Sequence, residues 1–273
     1  MQIAIFSDTH LAPGFPELDA NLVAVRNWVA AKEIGHSVHL GDVSADGVAV
    51  PGQLAYAQVR LRDWPGRLHV LPGNHDVGDR PGADGLRAYT DLFGPGRWTF
   101  RVAGWTLIGL DAQLLGNGDP LEEVQDRWLQ AQVVGLSGPV GLFLHKPLFR
   151  TAPDDGDAHH RYVPPSARAP LLRRLAATDL RFVATGHTHQ TRRVHIDGIE
   201  HLWTPSVAFT LPDGMQETIG VKETAVMLLT LDGAGYRFER VVPPGMVAYD
   251  LSDHAELYPA HAAQIRAARH ARP

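Results

Sequence analysis

A chain of 273 residues, 44% of them hydrophobic, is long enough for one large domain with a substantial core. Its formal charge of −5 excludes a global basic field for holding a nucleic-acid polymer or an anionic membrane, so any attraction for an anionic ligand has to be local. The absence of cysteine excludes disulfides, thiolate zinc sites and thiol nucleophiles, and no apolar run approaches the roughly 20 residues of a membrane span.

The chain opens directly on Gln2-Ile3-Ala4-Ile5-Phe6, too short an apolar run for a secretory leader, and a cytoplasmic protein is expected. Residues 2–6 read as a strand. Leu18, Leu22, Val25, Val29 and Ala30 then recur at helical spacing within 17–34. A short strand at 37–40 ends in Gly41-Asp42. A helix at 53–64 stops at Pro65-Gly66, and a third strand at 68–71 ends in Pro-Gly-Asn-His-Asp. This βαβαβ order implies parallel strands with helical crossovers.

Residues 77–96 read as an excursion around a short helix at 86–93, followed by a hairpin of 98–102 and 105–110. A helix at 121–134 precedes a strand at 140–144, which delivers His145. Residues 150–165 read as a loop, 166–178 as a helix, and 180–185 as a strand leading into Gly186-His187. Beyond 190, strands are expected at 192–196, 200–203, 207–211, 225–231 and 236–242, finishing the molecule as an antiparallel sheet. Residues 1–250 form a single domain in this reading. The Ala/His/Arg-rich tail, 251–273, is a short surface helix or a disordered end with no assigned chemistry. The expected fold is α/β, a four-layer sandwich of two mixed sheets flanked by helices.

Five polar motifs fall just after apolar strand patterns: Asp8-Thr-His10, Gly41-Asp42, Gly73-Asn74-His75-Asp76, His145 and Gly186-His187-Thr-His189. In open α/β sheets the carboxyl ends of strands are where ligands bind. Three carboxylates, an amide and five imidazoles exceed the needs of one metal ion and suggest two. Mixed nitrogen and oxygen ligation suits Mn, Fe, Zn or Co better than Ca or Mg.

The order Asp-x-His, Gly-Asp, Gly-Asn-His-Asp, His, Gly-His-x-His resembles the calcineurin-like metallophosphoesterase superfamily. Ser7-Asp8-Thr9-His10-Leu11 and the Gly-Asn-His-Asp block further resemble its class III cyclic-nucleotide phosphodiesterase branch. The resemblance implies Asp8, His10, Asp42 and His189 around one metal, and Asp42, Asn74, His145 and His187 around the other, with Asp42 shared. It leaves His75 to contact the phosphoryl group or protonate the leaving oxygen. The branch often carries a second His after its ligand His, where this chain has Lys146. Asp76 orients His75 or a ligand, or else closes a local turn.

Two divalent ions against Asp8 and Asp42 leave a local positive surplus suited to a phosphate ester. Paired ions roughly 3.5–4 Å apart activate water and clamp the phosphoryl oxygens of an in-line displacement. The expected activity is hydrolysis of a small phosphodiester of cyclic-nucleotide or glycerophosphodiester type. The alternatives are a phosphomonoesterase or nucleotide pyrophosphatase on the same scaffold, and a non-catalytic binding module. The expected partner is a small-molecule phosphoester, and the oligomeric state is left open, a homodimer included.

Among the remaining candidates, His36, His39 and His69 read as structural, and Trp98, Trp105 and Trp203 as core. His159, His160, Arg150, Arg161 and Tyr162 read mainly as loop or surface residues, with substrate contact as the other option. Substrate choice is expected in the 77–96 and 150–165 loops.

Overall fold

In the first strand, β1 (Gln2–Phe6), the pleat decides which side chain enters which layer. Ile3 and Ile5 pack with Leu107, Phe143 and Phe182, whereas Ala4 and Phe6 pack with Val25, Trp28 and Leu61. The computed structural model describes residues 1–50, 52–156 and 159–269.

After β1 the chain forms α1 (Pro16–Ala31), β2 (His36–His39), α2 (Gly52–Leu61), β3 (Arg67–Val70), the single turn α3 (Asn74–Val77) and α4 (Ala83–Phe93). The hairpin of β4 (Trp98–Val102) and β5 (Trp105–Gly109) leads through a 3₁₀ turn to α5 (Pro120–Val133) and β6 (Pro139–Leu144). The Asp119 side chain caps α5 by accepting from Leu121 N at 2.9 Å, and Pro120 takes the first helical position, where no N–H is needed. Then come α6 (Pro165–Leu175), β7 (Asp179–Thr185), β8 (Gln190–Ile196), β9 (Ile199–Trp203), β10 (Val221–Lys222), β11 (Val226–Asp232), β12 (Gly235–Val241) and α7 (Ala262–Arg269).

The smaller sheet has the order β12-β11-β1-β2-β3, with β1, β2 and β3 parallel and β11 antiparallel to β1. The larger has the order β10-β8-β9-β7-β6-β5-β4, parallel from β5 through β6 and β7 to β9. Their facing sides share one apolar core that includes Val38, Trp105, Phe143 and Phe182. Helices α1, α2 and α4 cover the outer face of the smaller sheet, and α5 and α6 that of the larger. The molecule is therefore the expected four-layer sandwich of two mixed sheets. Between the sheets, Gly141 lies against the Phe182 ring, where a Cβ would collide with it.

Two expectations are corrected. Residues 207–211 are not a strand, because Val207 N and Ala208 N donate to Ser7 O and Asp8 O, at 3.0 and 3.1 Å, instead of pairing along a sheet. The trailing strands do not form one antiparallel sheet: β8 and β9 extend the larger sheet, while β11 and β12 extend the smaller. In the tail, α7 is the short helix that was one of its two expected forms, and Leu251, Ala255, Leu257 and Ile265 are buried beside Ala12, Leu18 and Phe209; residues 270–273 lie outside the described residues.

Candidate metal centre

Each motif begins where a strand stops. Asp8 N, His10 N and Leu11 N donate to Gly41 O, Asp42 O and Val43 O at 3.0, 3.1 and 2.9 Å, so the loops after β1 and β2 run side by side beyond the sheet. Eight non-glycine residues among those described have positive φ, and five of them are Asp8, His10, Asp42, His187 and His189. Such backbone costs a residue with a side chain roughly 1–3 kcal/mol and persists where surrounding structure enforces it. Close approach at the site also needs Gly73, since a Cβ there would collide with the Asp42 carboxylate.

The structure brings together every residue expected as a ligand. Asp8 Oδ1 lies 3.3 Å from His189 Nε2 and 3.9 Å from His10 Nε2. The two imidazole nitrogens lie 3.2 Å apart. A second group places His145 Nε2 at 3.3 Å from Asp42 Oδ2, 3.2 Å from Asn74 Oδ1 and 3.1 Å from His187 Nδ1. The groups meet where His10 Nε2 comes within 3.9 Å of Asp42 Oδ2. His75 shares a potential ligand group with His10 and Asp42.

The outer ring nitrogens explain why the inner ones converge. His145 Nδ1 lies 3.0 Å from Leu40 O and His189 Nδ1 lies 2.7 Å from Phe209 O. A carbonyl only accepts, so each Nδ1 carries the hydrogen and the neutral ring presents a lone pair at Nε2. His10 is held likewise, its Nδ1 at 2.8 Å from the Tyr258 hydroxyl. The buried atoms Asp8 Oδ1 and His187 Nε2 have no hydrogen-bond partner. Lone pairs aimed at one another, with an orphaned carboxylate oxygen beside them, are the donor set a transition metal requires.

The electrostatics agree. Burial opposes charge at Asp8, but the His189 and His145 imidazoles outweigh it and bring the carboxyl down to about 2. At Asp42 burial is likewise overcome, chiefly by His145 and His75, and the carboxyl is held well below its ordinary range. Burial lowers His10 and His187 well below the usual imidazole value, leaving both neutral as ligation demands. At His145 the Asp42 carboxylate outweighs burial and raises the pKa to about 9, so a proton and a metal ion compete for its Nε2.

Asp76 takes the structural role. Its carboxylate accepts from Val43 N, Ser44 N, Ser44 Oγ and Gly73 N at 2.7–3.1 Å, tying the β2 and β3 loops together. His75 is oriented by Ala45 instead, whose carbonyl lies 2.6 Å from Nδ1. Lys146 is buried and donates to Asp79 at 3.0 Å.

A cavity of about 250 Å³ opens over these groups. Four larger ones among the described residues, of about 310 to 610 Å³, contain none of the ligand cluster, so chemistry rather than size selects the smaller. The 77–96 excursion contributes Asp79 to it, and the 150–165 loop contributes His160 and Arg161; residues 157 and 158 lie outside the described residues. Arg150 is paired with Glu217, and Tyr162 packs toward Trp203. The sequence reading missed Leu211, Met215, Tyr258 and Ile265, which also line the cavity. None sits in a polar motif, and only the fold brings them to the site.

The model of the calcineurin-like phosphoesterases matches residues 1–191. The chain belongs to the calcineurin-like phosphoesterase family. The serine/threonine-protein phosphatase CPPED1 of Danio rerio is 29% identical over 166 residues, which cover 58% of this chain and 52% of that protein. The chain thus matches about half the length of this curated relative. In fold it resembles a dimetal phosphatase from Danio rerio, with a TM-score of 0.61 and 14% identity over 89% of this chain and 96% of that one. It also resembles GAP50, described as the anchor in the inner membrane complex of Plasmodium, with a TM-score of 0.67 and 12% identity over 98% of this chain and 94% of that one. No helix among the described residues is long and apolar enough to cross a membrane.

Proposed function

We propose that this protein is a metal-dependent phosphoesterase with a two-ion centre, acting on a small phosphate ester. The observation that carries the reading is the convergence of His10, His145 and His189 Nε2 on Asp8 and Asp42, with outer ring nitrogens held by neighbouring oxygens. Asp8, His10, Asp42 and His189 would hold one ion, and Asp42, Asn74, His145 and His187 the other. Mn, Fe, Zn and Co all suit this donor set. When bound, such ions lower the pKa of water and polarise phosphoryl oxygens.

The chain's own residues supply the rest. Ala45 O fixes His75 so that Nε2 faces the cavity, where the protonated ring gives its proton to the departing alcohol oxygen. Burial of the ligand loops excludes bulk water from the charged cluster. The described residues act as one catalytic unit, the C-terminal segment included. A cytoplasmic setting belongs to the same reading, supported by the cysteine-free composition, and a small-molecule partner is supported by the net charge of −5.

A small phosphodiester remains the leading substrate class. A phosphomonoester is the second reading, favoured by CPPED1 being named a serine/threonine-protein phosphatase. Metal analysis of freshly purified protein, with bis-p-nitrophenyl phosphate, p-nitrophenyl phosphate, cyclic AMP and nucleotide sugars as substrates, separates these readings. Dominant monoester turnover retires the diesterase reading, and full turnover by metal-free protein sinks the metal reading. His75→Ala is expected to retain both ions and lose about 10²- to 10⁴-fold in kcat. Asp42→Ala is expected to lose metal and activity together.

A further inference from the structure

We propose that the segment 251–265, together with Leu211 and Met215, is a specificity wall that receives a compact apolar alcohol. The preferred substrates are then small phosphoesters bearing a single ring or a short branched chain. This inference rests on the phosphoesterase reading and adds a substrate class to it.

Besides the polar residues Asp79, His160, Arg161 and His261 in its lining, the cavity has two unlike sides. One is the ligand cluster with His75. The other is built from Phe209, Leu211, Met215, Leu251, Tyr258 and Ile265. Phe209, Leu251 and Ile265 are buried and form the back of this wall, while Leu211, Met215 and Tyr258 are partly exposed and form its face. A phosphoryl group gains nothing from apolar surface. An apolar alcohol gains about 25 cal/mol for each Å² it removes from water.

The wall is built before any ligand arrives. Leu251 N donates to Thr210 O and Thr210 N to Tyr249 O, both at 2.9 Å. The Asp250 carboxylate accepts from Ser252 N at 2.9 Å, and His254 pairs with Glu17 at 2.9 Å. The hydroxyl of Tyr258 meets His10 at 2.8 Å, which fixes the wall's position relative to the ligand cluster. Preformed apolar surface orders nothing further on binding, so burial converts into affinity with little loss. The volume, about 250 Å³, falls just below the ~300–1,000 Å³ of sites for drug-sized ligands, which leaves room for a phosphoryl group and one modest substituent.

The test compares benzyl with methyl phosphoesters, in monoester and diester form, on metal-loaded protein. The two leaving alcohols have similar acidity, so binding rather than intrinsic reactivity sets the ratio. A benzyl preference of at least about tenfold in kcat/KM is expected, with benzylphosphonate competing correspondingly better than methylphosphonate. Leu211→Asn and Met215→Asn, at partly exposed positions, are expected to shrink both ratios, and Leu211→Met to preserve them. Hydrolysis with a ratio near one overturns this inference alone, as does faster turnover of a phosphoserine peptide than of the benzyl ester. Absence of hydrolysis of every ester, with metal bound, removes the underlying reading and this inference with it.

Discussion

Tyr258 supplies the oxygen opposite the outer nitrogen of His10, in the position that backbone carbonyls occupy for His145 and His189. Tyr258→Phe removes the hydroxyl that meets His10 Nδ1 and frees the ring to change tautomer. Metal affinity is expected to fall about 10- to 100-fold, read by competition with a chelator. Unchanged affinity would reduce Tyr258 to packing. A second residue tests electrostatics away from the ligands. Asp111 Oδ1 accepts from Gln113 N at 2.8 Å, but its Oδ2 is buried without a partner. Burial pushes this carboxyl from 3.8 up to about 7. Between those values the unfolded chain has released the proton that the folded chain retains, so this group's contribution to stability declines as pH rises. Asp111→Asn keeps the acceptor and removes the titration. Relative to the parent, its urea midpoint is expected to gain steadily between about pH 4 and pH 7. A constant difference across that window would show that Asp111 does not titrate there.

The elements show which sequence signals carry far. β1 was legible as a continuous apolar run because both of its faces meet a core, and the Gly-flanked motifs were legible because each follows a strand. Residues 207–211 read as a strand yet are none, since Val207 N and Ala208 N donate to the carbonyls of a loop some 200 residues earlier and Thr210 N to Tyr249 O. No local pattern encodes that pairing. The tail's burial was illegible for the same reason: its short 3₁₀ turns have weak periodicity, and their apolar residues find partners only in the folded chain. Packing between the sheets offers a direct test. Gly141→Ala drives a methyl group into the Phe182 ring, and a loss of about 1–3 kcal/mol in urea unfolding is expected. A neutral result would mean that β6 and β7 can part without cost.

At the scale of the molecule, the residue types of the candidate cluster were legible in order, whereas their geometry was not. Nothing in the string announces that five motif residues sit in left-handed backbone, or that Asp76 is consumed in joining loops while Ala45 orients His75. Those arrangements follow from two sheets meeting with their strand ends on one side. The partner of His10 stands 248 positions further along the chain. At the ~5–20 residues per second of synthesis, Tyr258 emerges roughly 12–50 s after His10. The central strand β1 also waits for β11 before its second edge is covered. During translation, the first motif made is thus among the last to be secured. A nascent chain would carry Asp8 and His10 beside an open strand edge, where a premature metal ion meets an unfinished site. If the site takes up metal as proposed, loading is expected to follow completion of the chain through residue 258 rather than to seed the early strands.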